Sequence, residues 1–123
     1  MRSTPPAPTF DRLHRWLEEA ISRSGANTRS GLSLPSVFRG AGLSEPELRL
    51  ESLLGAGTQA AVAVERMVGL ATSLLPALTA EGIVSADELG VDTLFDRMMT
   101  EIVANDVLIR SHLEVGAWSR AAE

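Results

Sequence analysis

The chain has 123 residues, 45% of them hydrophobic, which is enough for one globular domain that buries more than half of its unfolded surface. Sixteen acidic residues against 11 basic ones give a net charge of −5, which argues against a nucleic-acid partner and an anionic membrane surface. Because there are no cysteines and only two histidines, far apart, we expect no disulfide, no thiolate chemistry and no metal site.

The N-terminal segment predicts an arm outside the core. Residues 1–9 carry three prolines, at positions 5, 6 and 8, and a proline-rich stretch is typical of an extended linker. The segment lacks the apolar run of a secretion signal, and no part of the chain approaches the roughly 18 apolar residues of a membrane span. We therefore expect a flexible arm over 1–9, no membrane contact and a cytoplasmic protein.

The strongest helical pattern comes directly after this arm. Its apolar residues recur every three or four positions, at Phe10, Leu13, Trp16, Leu17, Ala20 and Ile21. Gly25 stands where such a helix would end. The pattern predicts a helix over 10–23, with Trp16 on its buried stripe and His14 beside that stripe.

Residues 33–57 allow two structures. The first part predicts a short helix over 34–41, with Ser33 as its cap, and glycines at 40 and 42 stop it. The second part is either a strand over Leu48–Leu54 that ends in a glycine turn, or a second helix that begins with a capping box at 44–47. The alternation of apolar and polar residues over 48–54 favours the strand.

The second option would make a helix-turn-helix, a common DNA-binding architecture. Its recognition helix would carry Glu45, Glu47 and Glu51 against Arg49, which is the wrong balance for approaching phosphates. A DNA binder is therefore our third hypothesis, and we expect no nucleic-acid partner.

Residues 58–105 are predicted to be helical. Three-and-four spacing predicts a helix from Thr58 that Pro76 kinks or ends near Leu75, with a short continuation to Gly82. A capping box at 85–88 opens a short turn, and a further helix capped by Asp92 runs to about residue 105. The methionines in these helices suit either a pocket wall or ordinary core packing.

The tail alternates most clearly, which predicts one long strand over Val107–Trp118. Arg110, His112 and Glu114 share one face and suggest a catalytic group. However, no serine, metal ligand or second carboxylate is evident to complete such a site. A solvated strand face is the simpler interpretation, and we assign no catalytic residue here.

The run Gly55–Ala60 matches the dinucleotide-binding pattern G-x-G-x-x-A. Such a site also needs a second parallel strand that ends in an acid, and the residues after the next helix are Pro76, Gly82 and more helix. We interpret these glycines as parts of a tight turn.

Five short segments together suggest a family. They are L-P-S-V-F-R-G-A-G-L at 34–43, L-R-L-E at 48–51, S-L-L-P at 73–76, V-D-T-L-F-D-R at 91–97 and V-G-A-W-S-R at 115–120. Their order and spacing, after a helix over 10–23, resemble the C-terminal half of class I S-adenosylmethionine-dependent methyltransferases, in particular bacterial members that act on small molecules. The resemblance spans residues 5–120.

The resemblance implies an α/β fold, or α+β for the isolated chain: mostly helical, with a two-stranded antiparallel sheet edge. Leu48–Leu54 would be the sixth strand of the family and Val107–Trp118 the antiparallel seventh, with a helical lid over 58–105. Residues 10–120 would then form one domain, followed by a tail at 121–123. The family's glycine-rich loop and ribose-binding acid belong to the absent N-terminal half, so no catalytic or cofactor-binding residue transfers to this chain. S-adenosylmethionine is implied for the family, and we expect this chain alone to bind none.

Since lid helices of such enzymes face the methyl acceptor, the resemblance suggests a substrate-pocket wall. Its candidate residues are Phe10, His14, Met67, Leu70 and Met98. In the family the seventh strand lies between the fifth and the sixth, so loss of the fifth leaves an unpaired edge. We therefore expect a homo-oligomer, or a separate N-terminal half as partner, and a small-molecule substrate. The alternative is a non-enzymatic helical module that dimerises through residues 58–75 and 93–105.

Overall fold

The computed structural model describes residues 1–121 and shows a mixed α/β fold in which helices predominate. In chain order its strands and helices are β1 (Arg2–Thr4), α1 (Pro8–Arg23), α2 (Leu34–Gly40), β2 (Glu47–Glu51), β3 (Leu54–Ala56), α3 (Ala61–Ala80), α4 (Ala86–Leu89), α5 (Val91–Ala104), β4 (Leu108–Arg110) and β5 (Glu114–Trp118). Short 3-10 turns at Ser30–Ser33 and Gly57–Ala60 lead into α2 and α3. The predicted fold class, mostly helical with an antiparallel sheet edge, is confirmed.

The hydrophobic core lies between α1, α3 and α5. Its largest fully buried helix side chains are Phe10, Leu13, Leu17, Val64, Leu78, Leu94, Met98 and Ile102. Ile109 of β4 closes this core from the sheet side. The helices expected to form a lid over a pocket therefore pack against α1, and their apolar stripes make the centre of the chain itself.

The ends of these helices depart from the sequence predictions at three points. Pro76 does not end α3 near Leu75, since the helix continues to Ala80 with the exposed proline inside it, close to the continuation to Gly82 that we predicted. Thr58 lies in the preceding 3-10 turn and does not cap α3. Gly90, at φ +55°, takes the N-cap position of α5 that we predicted for Asp92.

The predicted cap by Ser85 at the start of α4 is confirmed. The Ser85 hydroxyl accepts the backbone N–H of Glu88 at 3.1 Å, which satisfies one of the free amides at the helix start. Gly90 then ends α4 in the left-handed conformation that glycine adopts without strain.

The N-terminal segment is not an arm, which corrects the prediction for residues 1–9. Its first residues form β1 and pair with β4, and Ala7 is fully buried. The Asp11 carboxylate accepts the Ser3 hydroxyl at 2.6 Å and the Ala7 N–H at 3.1 Å. The Glu101 carboxylate accepts both the N–H and the hydroxyl of Thr9, at 3.0 and 2.9 Å. These carboxylates satisfy the free amides around the start of α1 and so hold the segment against the core.

The strands form two small sheets. In the first, β4 lies between β1 and β3, and both pairs are antiparallel; in the second, β2 pairs with β5, also antiparallel. The predicted pairing of 48–54 with 107–118 is confirmed, but each predicted strand is split in two. Since residues 47–51 form β2, the strand that we favoured there is confirmed, and the alternative of a second helix from the capping box at 44–47 does not form.

A part of the chain outside the core consists of the turn Ser30–Ser33, α2, β2 and β5, which we call the outer layer. None of its residues is fully buried, and all five residues of β2 are exposed. Its exposed large apolar side chains are Leu32, Val37, Leu48, Leu50 and Trp118. The outer layer therefore has no core of its own: its strands β2 and β5 pair with each other, and they join the body where Ser52 and Leu53 bond to Ser111.

One helical segment is long and apolar enough to cross a membrane. It spans Gly57–Ala80 with a mean hydropathy of 1.4, so our expectation that no such stretch exists is wrong for this segment. Val64, Met67 and Ala71 from this segment are buried in the core, and a core helix of a soluble protein meets the same criterion.

Candidate functional site

The junction between the two sheets is the centre of the candidate site. Strands β2 and β3 are consecutive along the chain, as are β4 and β5, and together they run as one interrupted ladder. Glu51 is opposite Glu114 before the interruption and Leu54 is opposite Arg110 after it. The β4–β5 side therefore contains one extra residue, which is the mark of a β-bulge.

Two serine hydroxyls close this bulge. The Ser111 hydroxyl accepts the N–H of Leu53 at 2.8 Å, and the Ser111 N–H donates to the Leu53 carbonyl at 2.9 Å. The Ser52 hydroxyl donates to the Ser111 carbonyl at 3.1 Å. Side chains thus replace the ladder bonds that the extra residue interrupts, so the bulge is a defined structure.

A pocket of about 430 Å³ opens at this bulge. Its polar lining consists of the carboxylates of Glu51 and Glu114, the hydroxyls of Ser52 and Ser111, and Arg66 from α3. A larger depression of about 530 Å³ lies on the charged outer face of α1 and is lined by that helix alone. The bulge pocket is therefore the better candidate, because three elements contribute to it.

The charges in the pocket are unevenly paired. Glu51 and Glu114 are directly opposite each other across β2 and β5, where like charges repel. Arg49 lies 2.8 Å from Glu51 through its Nε, whereas within residues 1–121 no arginine forms an ion pair with Glu114. The site can accept hydrogen bonds or a cationic group at Glu114. Nowhere in the same residues do three histidine, aspartate or glutamate side chains come close enough to hold a metal ion.

A pair of histidines connects α1 with the segment after β4. The rings of His14 and His112 are 5.9 Å apart at an angle of 49°. Burial lowers the pKa of each imidazole, and the positive charge of the Met1 amino group lowers it further, against the opposing effect of Glu18. Their mutual repulsion when protonated also lowers the pKa of His112. Both rings are therefore held in the neutral form at pH 7.

The five predicted pocket residues do not surround a cavity. Phe10, Met67 and Met98 are 1–2% exposed and belong to the core, and Leu70 is half-buried against it. His14 lies apart from them, against His112. The structure thus favours core packing for the two methionines, which was the other interpretation of their spacing.

The alternation of the tail holds only in part. Arg110 ends β4, His112 lies within the interruption at 111–113 and Glu114 begins β5, so the three residues do not form the continuous strand face we predicted. Sequence reasoning also missed the bulge residues Ser52 and Ser111. The available signal was a serine in the middle of each of two alternating runs.

Comparison with protein-family models, with curated proteins and with solved structures finds no match for this chain.

Proposed function

We propose that the chain is the C-terminal portion of an S-adenosylmethionine-dependent methyltransferase fold, carrying the edge of the sheet and its adjoining helices. The observation that supports this proposal most is the order of the first sheet. Strand β4 lies between β1 and β3 and is antiparallel to both. The resemblance implies this order for the family's fifth, seventh and sixth strands.

In this proposal β1 takes the place of the carboxyl end of the fifth strand. Arg2 is opposite Arg110, and β1 runs antiparallel to β4. A strand that preceded β1 in the same direction would therefore run past residue 111 and along the unpaired side of β5. This gives the N-terminal segment a role in the sheet that composition did not suggest.

The glycine-rich turn at Gly55–Gly57 packs closely against its own backbone, since a Cβ at Gly55 would lie 2.4 Å from the Gln59 carbonyl oxygen. This close approach supports the interpretation of these glycines as parts of a tight turn. The methyl-donor site would belong to an N-terminal half, and this chain would supply the sheet edge and the wall formed by the bulge pocket.

A fusion tests this proposal. The first five strands of a class I methyltransferase of known structure are joined ahead of Arg2, so that the fifth strand continues into β1. We expect the fusion to unfold in one calorimetric transition and to bind S-adenosylmethionine, because the two parts share one sheet.

The matched control carries the same N-terminal half attached after residue 120, where no strand can continue into β1. Separate transitions for the two parts in both fusions, with S-adenosylmethionine stabilising only the added half, would contradict the proposal. The isolated chain should show no heat of binding with the cofactor in either case.

A helical dimerisation module is less well supported. The stripes on α3 and α5 that such a module would use are buried inside the chain itself, at Val64, Met67, Leu94 and Met98. Among the described residues, five of the 11 exposed large apolar side chains lie in the outer layer, against one on α3 and one on α5, so an association through the strands is the better supported one.

A further inference from the structure

Strand β5 has one unpaired side. In the part of the chain that the structure describes, β5 pairs only with β2, whereas β4 is paired on both sides. An unpaired side presents a row of backbone N–H and C=O groups that can pair with another strand. The candidate occupants are a strand of an N-terminal half or a second copy of this chain.

We propose that, in the chain by itself, this side of β5 pairs antiparallel with β5 of a second copy, about a two-fold axis at Ala117. Pairing of identical strands in one continuous sheet keeps residues of the same face opposite each other. With the axis at Ala117, Glu114 is opposite Arg120 of the second copy, and Gly116 is opposite Trp118 of the second copy. Symmetry makes each of these contacts twice.

The charges favour this register. Glu114 faces Glu51 on β2 and has no arginine partner within residues 1–121. The side chain of Arg120 is exposed and forms none of the ion pairs in the same residues. Pairing about Ala117 brings a positive charge to the one carboxylate of the Glu51–Glu114 pair that lacks it. An axis at Gly116 would instead place Glu114 opposite Trp118 of the second copy.

The aromatic contact supports the same register. Trp118 is 47% exposed, and Gly116 has nothing within 4 Å of the position a Cβ would occupy. An indole ring beside a strand glycine covers backbone that would otherwise be open to water. The paired sheets would join into four strands, with Leu48 and Leu50 of both copies on one apolar face together with Val115 and Ala117.

The opposite side of the same sheet is less suited to pairing. Strand β2 alternates Glu47, Arg49 and Glu51, and Pro46 precedes it. Charged residues and proline are the usual protection of an edge strand, and proline lacks the N–H that a ladder needs. Pairing about Arg49 would also place Glu47 opposite Glu51 and Arg49 opposite Arg49.

Charge reversal tests the contact. Light scattering and sedimentation of the complete chain at about 50 µM should show a dimer, since dimerisation depends on protomer concentration. Glu114→Arg and Arg120→Glu should each weaken the dimer about tenfold or more, and the double variant should restore it. Glu47→Arg, the same type of substitution on the far strand, is the matched control and should leave it unchanged. Circular dichroism checks that each variant is folded.

Cross-linking tests the register. The chain has no cysteine, so Ala117→Cys places one thiol of each copy at the axis, where facing Cα atoms lie about 4.5–5.5 Å apart, within disulfide range. Val115→Cys is the control, because its two copies would be about 13 Å apart along the strands. We expect mild oxidation to link the first variant and not the second.

A monomer at this concentration, insensitivity to both single reversals, or linkage through position 115 instead of 117 would each overturn the proposal. The inference stands apart from the proposed function. In the N-terminal fusion the added strand occupies this side of β5, so cofactor binding by the fusion and dimerisation of the chain can fail separately.

Discussion

The core and the outer layer differ in how they use apolar residues. In α1, α3 and α5 these residues lie on one stripe and are buried; Leu78, for example, is 0% exposed. In the outer layer, residues of the same type alternate along a strand and stay in water; Leu50 is 63% exposed. The apolar residues are therefore covered by the chain itself in the core and left exposed to water in the outer layer.

This difference indicates where the fold is complete. A helix covers its stripe with two neighbours, whereas a two-stranded sheet covers neither of its faces unless something packs on it. Part of one face is covered, since Gly31 of the preceding turn lies against Val115. The unpaired side of β5 is where this chain would join another sheet or a second copy.

The largest expected effect comes from replacing one leucine by alanine in the core, compared with the same replacement in the outer layer. Leu78→Ala should destabilise the chain by about 3 kcal/mol, since it leaves a cavity in the core. Leu50→Ala should change the free energy of unfolding by less than about 0.5 kcal/mol in the monomer. Urea denaturation at low micromolar concentration measures both. Similar losses for the two variants would show that the outer layer has a core that we have not recognised.

A second comparison concerns two glycines, Gly55 in β3 and Gly69 in α3. Gly55→Ala should cost about 2 kcal/mol, because its Cβ would lie 2.4 Å from the Gln59 carbonyl oxygen and force the backbone to move. Gly69→Ala on the exposed face of α3 has no atom within 4 Å and should stabilise the chain by about 0.5–1 kcal/mol. Thermal unfolding measures the direction of both changes in stability. An unchanged stability in Gly55→Ala would contradict the close approach of the Gln59 carbonyl to Gly55.

The attachment of the N-terminal segment to the core can be broken at one carboxylate. Glu101→Ala removes the acceptor for the N–H and the hydroxyl of Thr9 and should cost about 1 kcal/mol. Amide exchange should also become faster in β1. Glu88→Ala on the surface of α4, whose carboxylate makes no such contact, is the control, and equal effects of the two changes would argue against this attachment.

The smallest effect concerns the histidine pair, which joins α1 to the start of β5. Burial lowers the pKa of His14 and His112 below their ordinary value of 6.5, so the unfolded chain binds more protons between that value and the folded pKa. Stability should therefore fall as the pH drops below about 6.5. The charges around the rings are those of Met1, Asp11, Arg15, Glu18 and Glu114.

A double variant, His14→Gln with His112→Gln, should remove the loss of stability between about pH 7 and pH 5.5, where the carboxylates stay ionised. Urea midpoints across that range measure it. An unchanged pH dependence in the double variant would assign the effect to other groups.

The sequence predicted the helical core well because its signal is local. The stripe from Phe10 to Ala20 and the helix cap by Ser85 depend on neighbours within one or two turns, and both are confirmed. The pairing of the two long alternating runs was also predicted correctly. Local pattern suffices where a residue's partners are close in sequence.

The errors involve partners that are distant in sequence. Residues 1–9 look like a linker until Glu101 and β4 are placed beside them. The bulge depends on Ser52 meeting Ser111, and neither serine stands out in its own strand. Phe10, Met67 and Met98, which we suggested for a pocket wall, are buried in the core. The sequence does not separate these two roles, because an apolar stripe has the same pattern whether it faces a ligand or another helix.

The contact between Thr9 and Glu101 also affects the order in which the chain can fold during synthesis. The two residues are 92 positions apart, and a ribosome adds about 5–20 residues per second. During synthesis Glu101 therefore follows Thr9 by about 5 to 20 s, and α3 is made before it and can cover part of the apolar stripe of α1 first. The N-terminal segment should consequently be the last part of the core to become fixed.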